Sequence, residues 1–340
     1  MNEVNEPVAE QSSFSRALDS IDLKVKFDSG ASARSKVLFG NGRMQVKVQV
    51  LVSGYDESGD YISVPADVLN TVELIHYNTG KTLRDGWNAS TEQGRFTLEA
   101  PVSADSMDAS DDESEQQVQP QVRTFWVSSA GVGTSQVAAR ISLNGTIIRS
   151  NGTGLSGRHD SSVTLEAQLP VTYSVDQFRW TSTRRGNEEP GNRIRNYYLG
   201  LYPQGQQIKL VDWSSSYGTD NVEFVRGNKL YATKTNYLSG FLVRPDKREM
   251  SLSLPYDGDP IAYTFFPDAI TTKTKHYVVR VNDRDGELTV VQALSEYSDL
   301  SRKSIADGTF NFSIYDQYGT EHKLAIRTDA EERSFTLGRG

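Results

Sequence analysis

Apolar and polar residues alternate with a period of two along much of this 340-residue chain. The clearest run is Met44, Val46, Val48, Val50 and Val52, with Gln45, Lys47 and Gln49 between them and Leu51 the exception. Successive side chains of a strand point to opposite faces, so this pattern predicts a half-buried β-strand. Tyr55-Asp56-Glu57-Ser58-Gly59-Asp60 then reads as a turn. Further strands are predicted at 72–75, 95–98, 122–127 and 162–167, and the small residues at 127–135 read as a flexible hairpin connection. Asn144-Gly145 separates residues 136–143 from Thr146-Ile147-Ile148. Asn-Gly between two β-rich runs predicts a two-residue hairpin, because both turn positions need positive φ.

In the second half, strands are predicted at 207–211, 222–225, 229–233 and 241–243. Asp283-Arg284-Asp285-Gly286 reads as a hairpin turn joining 277–281 to 287–294. Asp316-Gln317-Tyr318-Gly319 reads as another, joining 310–314 to 323–327. Residues 294–304 read as a helical turn. No repeat of fixed period is present, so neither a propeller nor a solenoid is predicted.

Short strands with turns at close spacing predict an all-β protein of two antiparallel β-sandwich or jelly-roll-like domains. The expected divisions are a flexible N-terminal arm at 1–20, a β-sandwich domain at 21–175 and an aromatic-rich β domain at 176–340. A short helix around Phe14 is the alternative for the arm. Residues 103–121 carry six acids, no base and no aromatic residue. They hold too little apolar surface to offset the entropy of ordering, and are expected to form a disordered loop within the first domain.

Charge sharpens this division. Residues 1–122 hold 20 acids against 10 bases, and residues 123–340 hold 24 against 26. The excess acid is N-terminal, which argues against a nucleic-acid partner. The absence of cysteine excludes disulfides, thiolate ligands and a cysteine nucleophile. The first residues have neither a basic start nor an apolar core, so no secretory signal peptide is read, and no apolar run approaches the roughly 20 residues of a membrane helix.

Candidate chemistry is sparse. Gly80-Lys81-Thr82 imitates the end of a phosphate loop, but position 75 is Ile where that loop needs glycine, and Leu83-Arg84-Asp85-Gly86 is a turn where it needs a helix. His76, His159, His276 and His322 stand far apart and form no His-x-His or His-x-x-x-His pair. No Gly-x-Ser-x-Gly elbow is present. Asn282, Asp283, Asp285 and Glu287 resemble half of a calcium loop, but the twelfth position is Ala293 rather than a bidentate glutamate. The densest basic stretch is Arg179, Arg184, Arg185, Arg193 and Arg195, followed by Tyr197, Tyr198, Tyr202, Trp213 and Tyr217. Arginine forks suit oxyanions, and aromatic residues on loops are effective contact anchors. The competing reading pairs the arginines with Glu188 and Glu189 and places the aromatics in the core.

These features point to a non-catalytic structural or attachment protein without a cofactor, of the kind found in a phage or virus particle or in a bacterial surface or injection assembly. Its partners would be protein subunits, including further copies of itself, and its release would be independent of Sec export. The predicted contact residues are Arg184, Arg185, Arg193, Arg195, Tyr197, Tyr198, Tyr202, Trp213 and Tyr217. A secreted binding or toxin component recognising a surface glycan or protein is the second reading, and a glycan-active hydrolase the third.

Overall fold

The computed structural model describes residues 17–27, 33–97, 120–152, 160–228, 236–258, 270–301 and 303–340. The expected helix near Phe14, the acidic segment up to residue 119 and the expected strand at 229–233 lie outside the described residues. The protein is all-β, with 57% strand and 4% helix. The chain divides into two compact units, Met1–Leu169 and Pro170–Gly340.

The first unit contains β1 (Ser20–Lys26), β2 (Ser35–Phe39), β3 (Val46–Tyr55), β4 (Tyr61–Ile62), the short helix α1 (Ala66–Leu69), β5 (Glu73–His76), β6 (Trp87–Ser90), β7 (Gln121–Ser129), β8 (Gly133–Leu143), β9 (Thr146–Arg149) and β10 (Val163–Gln168). One sheet has the order β1-β3-β7-β6, with β4 added beside β3; the other has the order β2-β10-β8-β5, with β9 added beside β8. This is the strand order of an immunoglobulin-type sandwich, in which a short strand after the first pairs parallel to the last, here β2 with β10. The alternation read in the sequence is the reason β3 sits centrally: Val46, Val48, Val50 and Val52 are each at most 2% exposed. Asn144 and Gly145 have φ of 49° and 80° and turn β8 into β9, as their residue types require. Two expectations change. Residues 127–135 do not connect a hairpin, because β7 and β8 belong to different sheets and the chain crosses between them. At 95–98 the described pairing is one parallel bridge, Gln45 to Thr97. Strands β6 and β7 pair in one sheet, so residues 91–120, with the acidic run, join neighbours within this unit.

The second unit contains β11 (Phe178–Arg184), β12 (Asn192–Leu201), β13 (Leu210–Ser214), β14 (Val222–Asn228), β15 (Tyr237–Leu242), β16 (Glu249–Pro255), β17 (Thr274–Arg280), β18 (Leu288–Ser295), β19 (Gly308–Asp316), β20 (Glu321–Asp329) and β21 (Ser334–Arg339). Its central sheet has the order β11-β12-β18-β15-β14. One face packs on the sheet β13-β19-β20-β21 through Leu199, Leu201, Trp213, Leu238, Val290, Phe312 and Ile326. The other face packs on the β16–β17 hairpin through Ile194, Tyr237, Leu252, Leu254, Val279, Val291 and Ala293. A strand covered on both faces reads as an almost unbroken apolar run rather than an alternation. All eight residues of β18, Leu-Thr-Val-Val-Gln-Ala-Leu-Ser, are buried for this reason.

That layering overturns two expectations. β17 and β18 are not a hairpin: β17 pairs with β16, β18 pairs with β12 and β15, and Asp283-Arg284-Asp285-Gly286 carries the chain from one layer to the next. The described residues of 294–304 are not helical. β18 continues to Ser295, whose hydroxyl donates to the Pro255 carbonyl at 2.7 Å and accepts from the Tyr297 N–H at 3.1 Å, taking up a backbone N–H that a helix would need. The 310–314/323–327 hairpin is present as β19 and β20.

Candidate functional site

Strand alternation splits the arginine-rich stretch between two faces of the central sheet. In the β11–β12 register, Arg184 lies opposite Arg195, and Arg193 is two residues further along β12 on the same face. Arg185 continues β11 beyond its last residue and faces the other way, with Asn196 and Tyr198; its N–H donates to the Ile194 carbonyl at 3.0 Å. The loop between the strands is held by Glu188. Its fully buried carboxylate accepts the Gly186 and Ile194 N–H groups at 3.2 and 3.1 Å, and stands 3.8 Å from Arg184 Nε. Glu189 pairs with Lys275 at 2.8 Å. Among the described residues, Arg193 and Arg195 are half-buried and take part in no ion pair or side-chain hydrogen bond.

On the other face the arginines lie on aromatic rings. The Arg284 guanidinium is 3.6 Å from the Tyr198 ring centroid, and Arg179 is 3.9 Å from that of Tyr202. The Tyr202 hydroxyl donates to Glu287 at 2.6 Å, and Arg284 lies 3.5 Å from the same carboxylate. Burial, then the bond to Glu287, raises the Tyr202 phenol above its ordinary value. Gly200 is required beneath this stack: a Cβ there would come within 2.6 Å of the Tyr202 ring and 3.0 Å of Glu287. Beside the stack, Thr183, Arg185, Asn196, Tyr198, Glu249, Arg280 and Asp283 line a polar cleft of ≈ 350 Å³.

The predicted contact residues therefore divide. Arg184 and Arg185 are exposed, Arg193, Arg195 and Tyr202 are half-buried, and Tyr217 is 67% exposed on a loop beside Phe310. Tyr197 and Tyr198 are buried by their places on β12. Trp213 is 1% exposed; its indole N–H donates to the Val243 carbonyl at 2.8 Å, and Arg244 covers its ring at 4.6 Å. These three aromatics pack the unit's own layers. Arg280, Arg284, Asn196 and Glu249 were not singled out by the sequence. The signal for Arg280 was the alternation of β17, and Arg284 was concealed by reading its loop as a hairpin turn.

The calcium-like set does not gather. Asn282 Nδ2 donates to the Arg244 and Lys247 carbonyls at 2.8 and 2.9 Å, and Glu287 is occupied by Tyr202 and Arg284. Among the described residues no three Asp, Glu, His or Cys side chains are placed to hold a metal. His76 accepts the Arg84 N–H at Nε2 (3.2 Å), so its neutral ring carries the proton on Nδ1 and donates to Ser135 Oγ at 3.0 Å. That arrangement does not activate the serine. His276 Nδ1 meets Ser253 Oγ at 2.7 Å on the exposed hairpin, His322 is buried against Asp316 at 3.1 Å, and His159 lies outside the described residues. No described helix is long and apolar enough to cross a membrane.

No protein-family model matches the chain, and no curated protein matches it. Among solved structures it is similar to surface layer protein SbsC, domains 4–9, at 8% identity and a TM-score of 0.21. The match covers 92% of this chain and 31% of that one, so the chain spans less than a third of that structure, and a likeness of this size carries no argument about function.

Proposed function

We propose that this protein is a non-catalytic structural or attachment component of a larger assembly, such as a phage or virus particle or a bacterial surface or injection assembly, and that its partners are protein subunits, including further copies of itself. The observation that supports this reading is the arginine-bearing end of the second unit. Arg184 and Arg195 are neighbours of like charge, Arg193 and Arg195 have no internal counter-ion among the described residues, and β12, which carries both of these, is packed on both sides. Rigid elements presenting uncompensated arginines suit recognition of an acidic surface, because arginine is enriched at interface hot spots and its fork needs little further ordering.

Sedimentation velocity across concentration tests this reading. It expects a stable oligomer; a protein that stays monomeric and binds a glycan on an array contradicts it. The polar cleft favours a second reading, recognition of a surface glycan, since tyrosine, asparagine, arginine and carboxylate side chains line one concave site. In that case Arg280→Ala would abolish glycan capture while leaving the sedimentation profile unchanged.

A further inference from the structure

We propose that the free edge of β11 is a docking site for an extended, carboxylate-rich segment of a protein partner, which adds as a strand and places its acids on Arg184 and Arg195. This rests on the reading of the protein as an assembly component, and specifies the chemistry of the partner.

The backbone supplies the first argument. The Arg185 N–H bonds the Ile194 carbonyl and the Tyr202 N–H bonds the Gln177 carbonyl, so the odd-numbered residues of β11 make its hydrogen bonds to β12. The N–H and C=O groups of Ser182 and Arg184 point the other way. β11 ends the order of its sheet, so among the described residues no strand takes them up. Thr181, Ser182, Thr183 and Arg184 are all exposed, while further back Trp180 packs against the core with its indole N–H on the Phe335 carbonyl at 3.2 Å. An uncapped run of Thr-Ser-Thr is a template for pairing with another chain.

Charge supplies the second argument and selects the occupant. Arg184 and Arg195 form a non-hydrogen-bonded cross-strand pair, the type that brings side chains closest, with Cα atoms about 4.5 Å apart. Like charges so placed repel. Among the described residues the one carboxylate within 4 Å of the pair, that of Glu188 beside Arg184, is committed to two backbone N–H groups. Arg193 repeats the positive charge two residues along β12, a spacing of about 7 Å that acids at alternate positions of an extended chain reproduce. A strand added beside Arg184 brings such acids onto the pair, whereas an isolated phosphate would use the charge and leave the backbone edge unpaired.

The test measures fluorescence polarisation of labelled eight-residue peptides against the full chain. One peptide alternates Glu with Val, and its control replaces every Glu by Gln. The Glu peptide should bind and the Gln peptide should not. The double variant Arg184→Gln/Arg195→Gln should weaken binding tenfold or more. Ser182→Pro should do the same with both arginines intact; proline is tolerated at an edge whose N–H faces solvent, and it blocks strand addition. Inorganic phosphate should compete only weakly. Arg195→Gln alone should raise the melting temperature of the free protein, since it removes repulsion; a fall would show that the arginine is structural and overturn the proposal. Full binding by Ser182→Pro, or equal displacement by phosphate, overturns strand addition. Failure of the Glu peptide with a chain that oligomerises overturns this inference alone, whereas a monomeric chain that binds the peptide contradicts the assembly reading and leaves the docking site standing.

Discussion

Asn282 does the work of a small linker between layers. Its φ is 49°, a backbone conformation that asparagine adopts more readily than most residues, and its side chain donates to the Arg244 and Lys247 carbonyls while its Oδ1 accepts the Thr289 N–H at 3.2 Å. Asn282→Ala should therefore cost about 2 kcal/mol or more in guanidinium denaturation, at roughly 1 kcal/mol per hydrogen bond lost. Asn282→Gly relieves the φ but not the lost bonds, and should remain destabilised. Gly145 is a plainer case: its φ is 80° and nothing lies within 4 Å of where a Cβ would stand, so Gly145→Val should cost about 1 kcal/mol through backbone conformation alone. The Asn144-Gly145 turn was legible because residue type dictates conformation there. The role of Asn282 was not, because an oxygen-bearing residue in a tight turn has the same sequence signature whether it binds a cation or two distant carbonyls. The same limit applied to Tyr198 and Trp213: sequence places aromatics near arginines, but only the third dimension shows that those rings are covered.

At the scale of elements, two turns use one device. Asp56 accepts the Ser58 and Asp60 N–H groups at 3.0 Å, and Asp316 accepts those of Tyr318 and Thr320 at 2.9 and 3.0 Å, each with a glycine at positive φ three residues on. Both turns could be read in advance, since Asp and Gly mark such reversals locally. The segment after β18 was misread because its partners are remote. Asp299 accepts the Ser301 hydroxyl, and binds the Asn228 amide at 2.7 Å, the Ser301 N–H at 3.0 Å and Arg226 at 3.2 Å. Burial alone would raise its carboxyl, but these bonds prevail and hold it below the ordinary 3.8. A pKa lowered by folding adds stability above the unfolded value, and that stability is lost as pH falls through the folded value. Asp299→Asn should therefore cost about 1–3 kcal/mol at pH 7, and the gap from the unsubstituted protein should close below about pH 4, as read by thermal unfolding across pH. A gap that persisted at low pH would assign the loss to shape rather than charge. Pairing order was harder to read than strand position. The alternation of β3 announced itself, whereas the buried run of β18 is equally compatible with a hairpin partner and with the centre of a covered sheet, and only its position between β12 and β15 separates the two.

At the scale of the whole molecule, an immunoglobulin-type sandwich and a three-layer β unit are joined in one chain. The all-β class was evident from periodicity, because burial on one face of a strand imposes it. The site was legible only in part: the arginine cluster stood out in the sequence, but its division between two faces depends on register, which turns on the single residue at which β11 reverses. The central claim is that these arginines serve association rather than the fold. Its most direct test is the combined replacement of Arg184, Arg185, Arg193 and Arg195 by Ala, followed by sedimentation of both proteins at low and high salt. The variant should keep its cooperative unfolding, while its self-association is weaker than that of the unsubstituted chain, with the larger difference at low salt where charge is least screened. A variant that unfolds, or one that associates as fully as the unsubstituted chain, would contradict it.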